Sequence, residues 1–135
     1  MRIARDVIEK IIAHAEKDAP VEACGFLIGT KREITGHLPI TNAEARIDHF
    51  TFEPNEQFAA YQAVARSEFD IIGVYHSHVS TPAEPSAEDI RLARNRNLLH
   101  VIVSLIEGGK TVKGFRINEG KVEEEPLPVI ENETS

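Results

Sequence analysis

The chain has 135 residues, enough for one domain that buries its own hydrophobic core without disulfides. Hydrophobic residues make up 41% and charged residues 27% of the sequence, which argues against wholesale disorder. Fifteen Lys and Arg against 22 Asp and Glu give a formal net charge of −7. This charge would repel a phosphate backbone, so we expect no nucleic-acid partner.

The cysteine content and the apolar runs bear on the cellular compartment. Cys24 is the single cysteine, which excludes an internal disulfide and zinc motifs built from several cysteines. The N-terminal segment has neither a long apolar run nor a small-residue cleavage site. No stretch of about 18 apolar residues occurs anywhere in the chain. We therefore expect a cytoplasmic protein with no membrane partner.

The first 40 residues predict one helix and two strands. Apolar residues recur at helical spacing over residues 3–17, and Pro20 closes this segment. The apolar run CGFLIGT, residues 24–30, predicts a buried strand. A turn and a more polar strand over roughly residues 38–40 are expected to follow.

The middle of the chain predicts two further helices around a buried strand. Residues 41–49 lack periodicity and predict a loop, and HFTFE after it is a candidate short strand. A helix is expected from Pro54 to Ser67, since Pro is favoured at the first helical position. IIGVYHSH, residues 71–78, predicts a strand rich in β-branched residues, and another helix is expected to open at Ser86.

The last third predicts three strands and a tail. Residues 99–106 predict a buried strand, and a hairpin turn at residues 107–110 leads to strands over 111–117 and 121–125. The acidic run at the end of the last strand favours a solvated sheet edge. The fold class is therefore α/β, with a single domain over residues 1–126. We expect a mixed β-sheet flanked by about three helices, and a frayed polar tail over residues 127–135.

The residues suited to chemistry cluster between positions 75 and 89. His76 and His78 lie two apart on a predicted strand, so their imidazoles point to one face and can converge on one ion. Asp89 is the natural third ligand because it lies in the first turn of the next helix, where side chains lean towards the helix N-terminus. Three protein ligands leave one tetrahedral position for water, which is typical of a catalytic zinc site.

A water activated by such an ion still needs a base to accept its proton. Ser77 lies between the two histidines, so the base must come from another segment. Glu22, just ahead of the strand CGFLIG, is such a carboxylate.

Glu22, His76, His78, Ser86 and Asp89 occur in the order and spacing of the JAMM (MPN-plus) metalloproteases, and the chain resembles this family over nearly its whole length. The family comprises zinc isopeptidases that act on ubiquitin and ubiquitin-like conjugates. The resemblance implies a JAMM/cytidine-deaminase-like fold and Zn²⁺ held by His76, His78 and Asp89. It also implies Glu22 as general base and acid, and Ser86 as hydrogen-bond donor to the oxyanion.

Val79 stands where the family usually has Pro. Proline there would stiffen the loop but supplies no ligand, so the predicted metal site does not depend on it. The chain is short for the insertions of larger eukaryotic relatives and resembles the small, stand-alone prokaryotic members. That resemblance implies a substrate in which the Gly-Gly end of a ubiquitin-like or sulfur-carrier protein is joined to an amine. We expect the extended tail to add itself to a strand edge beside the metal.

Several of these residues also have structural interpretations. Ser86 and Asp89 have the spacing of a helix capping box, and this role is compatible with a metal site. Cys24 is more consistent with a small buried hydrophobe than with a reactive thiol. The remaining histidines are expected to be structural: His14, His37, His49 and His100.

Two other functions are alternatives to amide hydrolysis. Nucleobase deaminases also place a glutamate beside zinc, but they need a Pro-Cys-x-x-Cys pair that a chain with one cysteine lacks. A non-catalytic scaffold remains the alternative, because the family includes assembly modules. Those modules typically lack the ligands or the glutamate, so the sequence favours a zinc metallopeptidase.

Overall fold

A computed structural model describes residues 1–45, 48–93, 95, 97–106 and 110–131. Within these ranges the chain forms eight strands and three helices. In chain order they are β1 (Arg2–Ala4), α1 (Arg5–Asp18), β2 (Cys24–Gly29), β3 (Glu33–Ile40), α2 (Pro54–Ala65), β4 (Asp70–His78), α3 (Ala87–Leu92), β5 (Leu99–Ser104), β6 (Thr111–Asn118), β7 (Lys121–Glu125) and β8 (Val129–Ile130). The predicted α/β class, with a mixed sheet and three helices, is confirmed.

The eight strands form one curled sheet in the order β7-β6-β5-β4-β2-β3-β1-β8. β1 is parallel to β3 and β8, β4 is parallel to β5, and the other neighbours are antiparallel. The edge strands β7 and β8 are separated along the chain only by residues 126–128. Four Cα-to-Cα steps span at most about 14 Å, so the two edges must approach each other. The α-amino group of Met1, directly before β1, lies 3.0 Å from the carboxylate of Glu125 at the end of β7.

Helix α1 packs on one face of the sheet. Val7, Ile11 and Ala15 recur every four residues, are buried, and contact a core cluster that includes Leu27 and Tyr75. Burial of an aliphatic side chain of this size stabilises the fold by roughly 1.5–3 kcal/mol. Helix α1 therefore anchors the sheet from the side opposite α2.

The other face of the sheet packs against α2. Along β2, Cys24 and Phe26 belong to the core cluster beneath α2, whereas Leu27 belongs to the cluster beneath α1. Burial raises the pKa of the Cys24 thiol to about 12, which keeps the sulfur un-ionised at neutral pH. This environment supports the interpretation of Cys24 as a small hydrophobe.

Several predicted elements differ from those observed. Ile3 was expected to open the first helix but lies in β1, because pairing with β3 and β8 satisfies this backbone as a strand. β3 begins five residues earlier than predicted. In the expected strand HFTFE, Phe52 instead forms an isolated bridge with Asn42.

The C-terminal segment was also mispredicted in part. The tail expected to fray after Pro126 contains β8, which pairs with β1 and is held by a 3.0 Å bond from Ile3 N–H to the Pro128 carbonyl. The predicted turn at 107–110 falls largely outside the described residues, as do residues 132–135. The acidic strand β7 lies at a sheet edge, as expected. Among the described residues, none of the helices combines the length and apolar character that crossing a membrane requires.

Candidate metal centre

Strand β4 holds both predicted histidine ligands in the middle of the sheet. It lies between β2 and β5, and His78 is its last residue. His76 and His78 point to the face opposite α1, since Tyr75, directly before His76 on the strand, packs in the α1 core. The two histidines are 2% and 5% exposed, so their imidazoles are almost fully desolvated.

Asp89 reaches the two imidazoles from the first turn of α3. The Ser86 hydroxyl oxygen accepts the Asp89 N–H at 3.0 Å, and the Asp89 carboxylate accepts the Ser86 N–H at 2.8 Å. The capping box is therefore confirmed. It also orients the carboxylate, whose Oδ2 lies 3.1 Å from Nε2 of His76 and 3.4 Å from Nε2 of His78.

These three ligand atoms have the separations expected around one tetrahedral ion. The two Nε2 atoms lie 3.2 Å apart. Atoms bound at about 2.0–2.1 Å to a tetrahedral Zn²⁺ lie about 3.3 Å from one another. Two imidazoles and a carboxylate suit Zn²⁺ and leave its fourth position open. In the described ranges this is the one cluster of three or more His, Cys, Asp or Glu residues close enough to hold a metal: His76, His78 and Asp89.

Neighbouring groups orient the ligands. Nδ1 of His78 donates to the Pro82 carbonyl at 2.9 Å, which directs Nε2 of the same ring at the site. The Phe50 ring stacks on His76 with centroids 4.7 Å apart. Burial raises the pKa of Asp89, but hydrogen bonds from His76 and His78 outweigh burial and hold that pKa well below its usual range. Asp89 is therefore a carboxylate at neutral pH.

Glu22 faces the same site from the segment before β2. The pairing of β2 with β4 extends beyond β2, since Ser77 N–H donates to the Ala23 carbonyl at 3.0 Å and Ala23 N–H donates to the Ser77 hydroxyl at 2.8 Å. One residue further along this register, Glu22 lies opposite His78. Cross-strand partners share a face with Cβ atoms about 4.5–5.5 Å apart. The structure therefore brings Glu22 to the imidazole pair.

The Glu22 carboxyl group is nearly buried, with 5% of the residue exposed. Burial raises its pKa to about 7, the His78 charge partly opposes this shift, and the Asp89 charge adds to it. A carboxyl group with this pKa can both accept and release a proton at neutral pH.

The loop between β3 and α2 adds residues that carried no sequence signal. Phe50 from this loop covers His76, as described above, and His49 contacts the Glu88 carboxylate on α3. His49 also lies 3.2 Å from the Glu44 carboxylate. His49 was expected to be structural, and its contact with Glu88 joins the loop to the helix that carries Asp89. The contact between His49 and Glu88 joins residues 39 positions apart, so no local pattern could reveal it.

A cleft of about 420 Å³ opens beside His76 and Asp89. Its walls are mainly apolar and include Phe26, Phe50, Phe52, Tyr61, Val74, Leu92 and Leu98. His100 also lines it, and burial lowers the pKa of His100 to about 4, so this imidazole is neutral at pH 7. The cleft therefore suits an apolar segment of a bound chain.

The expected addition of a peptide strand beside the metal is wrong for β4. Both sides of β4 are already hydrogen-bonded, to β2 and to β5. The free edges of the sheet are β7 and β8. A peptide therefore cannot pair with β4 as a further strand of the sheet.

Comparison with known proteins adds to this geometry. Residues 4–118 match the family Prok-JAB, described as prokaryotic homologs of the JAB domain. The chain is 34% identical over 132 residues to the CysO-cysteine peptidase of Mycobacterium tuberculosis (strain ATCC 25618 / H37Rv), covering 96% of this chain and 90% of that protein. It is 30% identical over 120 residues to the probable TtuB-protein conjugate cleaving protease of Thermus thermophilus, covering 88% of this chain and 77% of that protein.

Among solved structures, the chain resembles protein DSY2949 from Desulfitobacterium hafniense with a TM-score of 0.84. The two are 33% identical, and the match covers 98% of this chain and 93% of that one. The likeness therefore extends over nearly the whole chain, including the strand and the helix that carry the candidate ligands.

Proposed function

The chain belongs to the prokaryotic JAB-domain family and is a peptidase of the JAMM type, and we propose that it uses Zn²⁺ to hydrolyse the amide bond after a Gly-Gly terminus of a ubiquitin-like or sulfur-carrier protein. The observation that carries this proposal is the convergence of two imidazole nitrogens and one carboxylate oxygen within 3.4 Å of one another. The buried carboxyl group of Glu22 faces the same site.

We assign His76, His78 and Asp89 as the ligands of the ion. When bound there, Zn²⁺ would polarise the scissile carbonyl and lower the pKa of a water molecule. The Pro82 carbonyl and the capping box hold His78 and Asp89 in the orientation that this role needs.

We assign Glu22 as the proton carrier. Its pKa of about 7 leaves much of the carboxyl group ionised at neutral pH, so Glu22 can accept the proton of the attacking water. The resulting carboxylic acid can then protonate the leaving amine. The same group thus acts first as base and then as acid.

We assign Ser86 to stabilisation of the carbonyl oxygen as it gains negative charge. The Ser86 hydroxyl uses an oxygen lone pair to accept the Asp89 N–H, and that bond leaves the hydroxyl proton available. Ser86 is exposed beside the ligand Asp89, where a substrate can reach it. Loss of one such donor typically slows an enzyme by about 10²–10³-fold.

The relatives support the class of substrate. One is named for the cleavage of a CysO–cysteine compound and another for the cleavage of TtuB–protein conjugates. A Gly-Gly terminus suits a site whose two histidine ligands are almost fully buried, because residues without Cβ let the backbone approach closely. The amine could be a lysine, a free cysteine or the first residue of a following peptide.

The test uses three fusions that differ only before the scissile bond, ending in Gly-Gly, Gly-Val or Ala-Leu. We expect the zinc-loaded protein to cleave only the Gly-Gly fusion, with products identified by mass spectrometry. The matched control is Glu22→Gln loaded with one equivalent of zinc, which should leave all three intact. Equal rates for the three fusions would contradict selection of glycine. No cleavage by zinc-loaded wild-type protein would contradict the proposed substrate.

A further inference from the structure

Asn42 is a buried side chain just beyond the end of β3, and it is 6% exposed. Its Nδ2 donates to the backbone carbonyls of Glu22, at 3.1 Å, and of His49, at 3.0 Å. Its Oδ1 accepts the backbone N–H groups of Glu44, at 3.2 Å, and of Thr51, at 3.1 Å. The amide thus uses two donors and two acceptor sites, which is its full hydrogen-bonding capacity.

The register of the sheet explains why Asn42 reaches Glu22. Cys24 pairs with Ile40 on one side and with His76 on the other. Two residues before β2 begins, continuation of the same registers places Glu22 opposite Asn42 on one side and opposite His78 on the other. Regular backbone pairing between β2 and β3 ends before Glu22 and Asn42. Beyond that point the Asn42 side chain, instead of its backbone, donates the hydrogen bond to the Glu22 carbonyl.

The other contacts of Asn42 fix the loop over the site. The bonds to Glu44, His49 and Thr51 bring the two ends of this loop together, and Ala43 N–H donates to the Thr51 carbonyl at 2.7 Å. The same loop carries Phe50, which stacks on His76. One amide side chain therefore joins the backbone of Glu22 to the segment that covers a candidate ligand.

We propose that Asn42 is a positioning residue that holds the Glu22 carboxylate in the orientation needed for proton transfer. This inference rests on the proposed function, in which Glu22 is the base. The hydrogen bonds that the Asn42 amide makes with described residues go to backbone atoms, so Asn42 acts through Glu22. Misplacement of a reacting group by about 1 Å can slow an enzyme by about 100-fold, so a single buried amide can carry a large kinetic effect.

Asn42→Asp removes the hydrogen-bond donors of this side chain and keeps an acceptor oxygen. The new carboxylate keeps the size of the side chain and can still accept the N–H groups of Glu44 and Thr51. It cannot donate to the carbonyl of Glu22 and repels that oxygen. We expect kcat to fall by about 10–100-fold, with KM changed less than about threefold. The exposed Asn118→Asp is the control for the added charge and should leave kcat unchanged.

A double-mutant cycle separates positioning from a general structural effect. If Asn42 acts through Glu22, Asn42→Asp should lower kcat in the wild-type background and have almost no effect in the Glu22→Gln background. If the double variant instead loses kcat by the product of the two single-variant factors, the proposal is overturned. An unchanged kcat in Asn42→Asp while wild-type protein is active would also overturn it. Inactive wild-type protein would overturn the proposed function itself, and this inference with it.

Two readouts are independent of turnover. Bound zinc, counted per folded chain, should stay at one equivalent in Asn42→Asp, and loss of the metal would overturn a role directed at Glu22. Amide hydrogen exchange at Glu44 and Thr51 should stay slow in Asn42→Asp and become fast in Asn42→Ala, because only aspartate retains the acceptor. If Asn42→Asp does not fold, Asn42→Ser takes its place in the same cycle, with the same expected loss of kcat.

Discussion

Replacement of Glu22 by Gln should raise the stability of the metal-free protein above pH 7 while it abolishes most of the activity. The structure buries this carboxyl group and raises its pKa from 4.5 to about 7. The folded state therefore binds the proton more tightly than the unfolded state does. The stability of the metal-free fold therefore falls as pH rises from 4.5 to 7. Above pH 7 Glu22 is ionised in both states, and the full free-energy cost of burying its charge is present.

The size of this effect follows from the pKa difference. Each pH unit between the folded and unfolded pKa corresponds to about 1.4 kcal/mol, so the charged Glu22 costs the metal-free fold up to about 3 kcal/mol at pH 8. Gln has nearly the same shape and never ionises. We therefore expect Glu22→Gln to match wild type at pH 4 and to exceed its free energy of unfolding by up to about 3 kcal/mol at pH 8.

Urea unfolding in the presence of a chelator measures this difference at the two pH values. A gain of about 3 kcal/mol corresponds to a midpoint shift of about 1 M or more. Glu68→Gln, at an exposed position before β4, is the control and should show no pH-dependent gain. In the zinc-loaded state, Glu22→Gln should keep the metal and lose about 100-fold or more of kcat. Equal free energies of unfolding for wild type and Glu22→Gln at pH 8 would refute the destabilising buried charge. Loss of zinc from Glu22→Gln would indicate that Glu22 is a metal ligand.

Substitutions at three further positions test the site and the sheet. Asp89→Asn should weaken zinc binding by about 100-fold or more in competition with a chelator, and full occupancy would contradict its role as a ligand. Ser86→Ala should lower kcat by about 100-fold and stability by about 1 kcal/mol, measured by kinetics and urea unfolding, whereas Ser86→Thr should retain the cap. Gly25→Ala should cost about 1–3 kcal/mol of folding free energy in urea, because its Cβ would lie 2.5 Å from both the Leu38 carbonyl oxygen and the Tyr75 ring. An unchanged urea midpoint would contradict this close packing.

Elements with a strong local pattern could be predicted from the sequence. The continuous apolar runs of β2 and β4 and the apolar stripe of α1 appear within single windows of the chain. The start of α3 was also predictable, because the capping box of Ser86 and Asp89 is formed within four residues.

Short strands with distant partners could not be predicted. β1 has three residues and β8 has two, and they pair with each other across nearly the whole chain. Neither segment is long enough to display a period. Their strand conformation comes from hydrogen bonds that form only when the sheet has curled and brought the two termini together.

The candidate site divides in the same way. Sequence spacing by itself determined that His76 and His78 share one face of a strand and that Asp89 opens the next helix, because side-chain direction follows from local backbone geometry. Only the tertiary structure decided that Glu22 lies opposite His78 and that Asn42 holds its backbone, since both depend on the registers of β2 with its two neighbours. Register is a property of paired strands, and it arises from hydrogen bonds and burial summed over residues far apart in the chain.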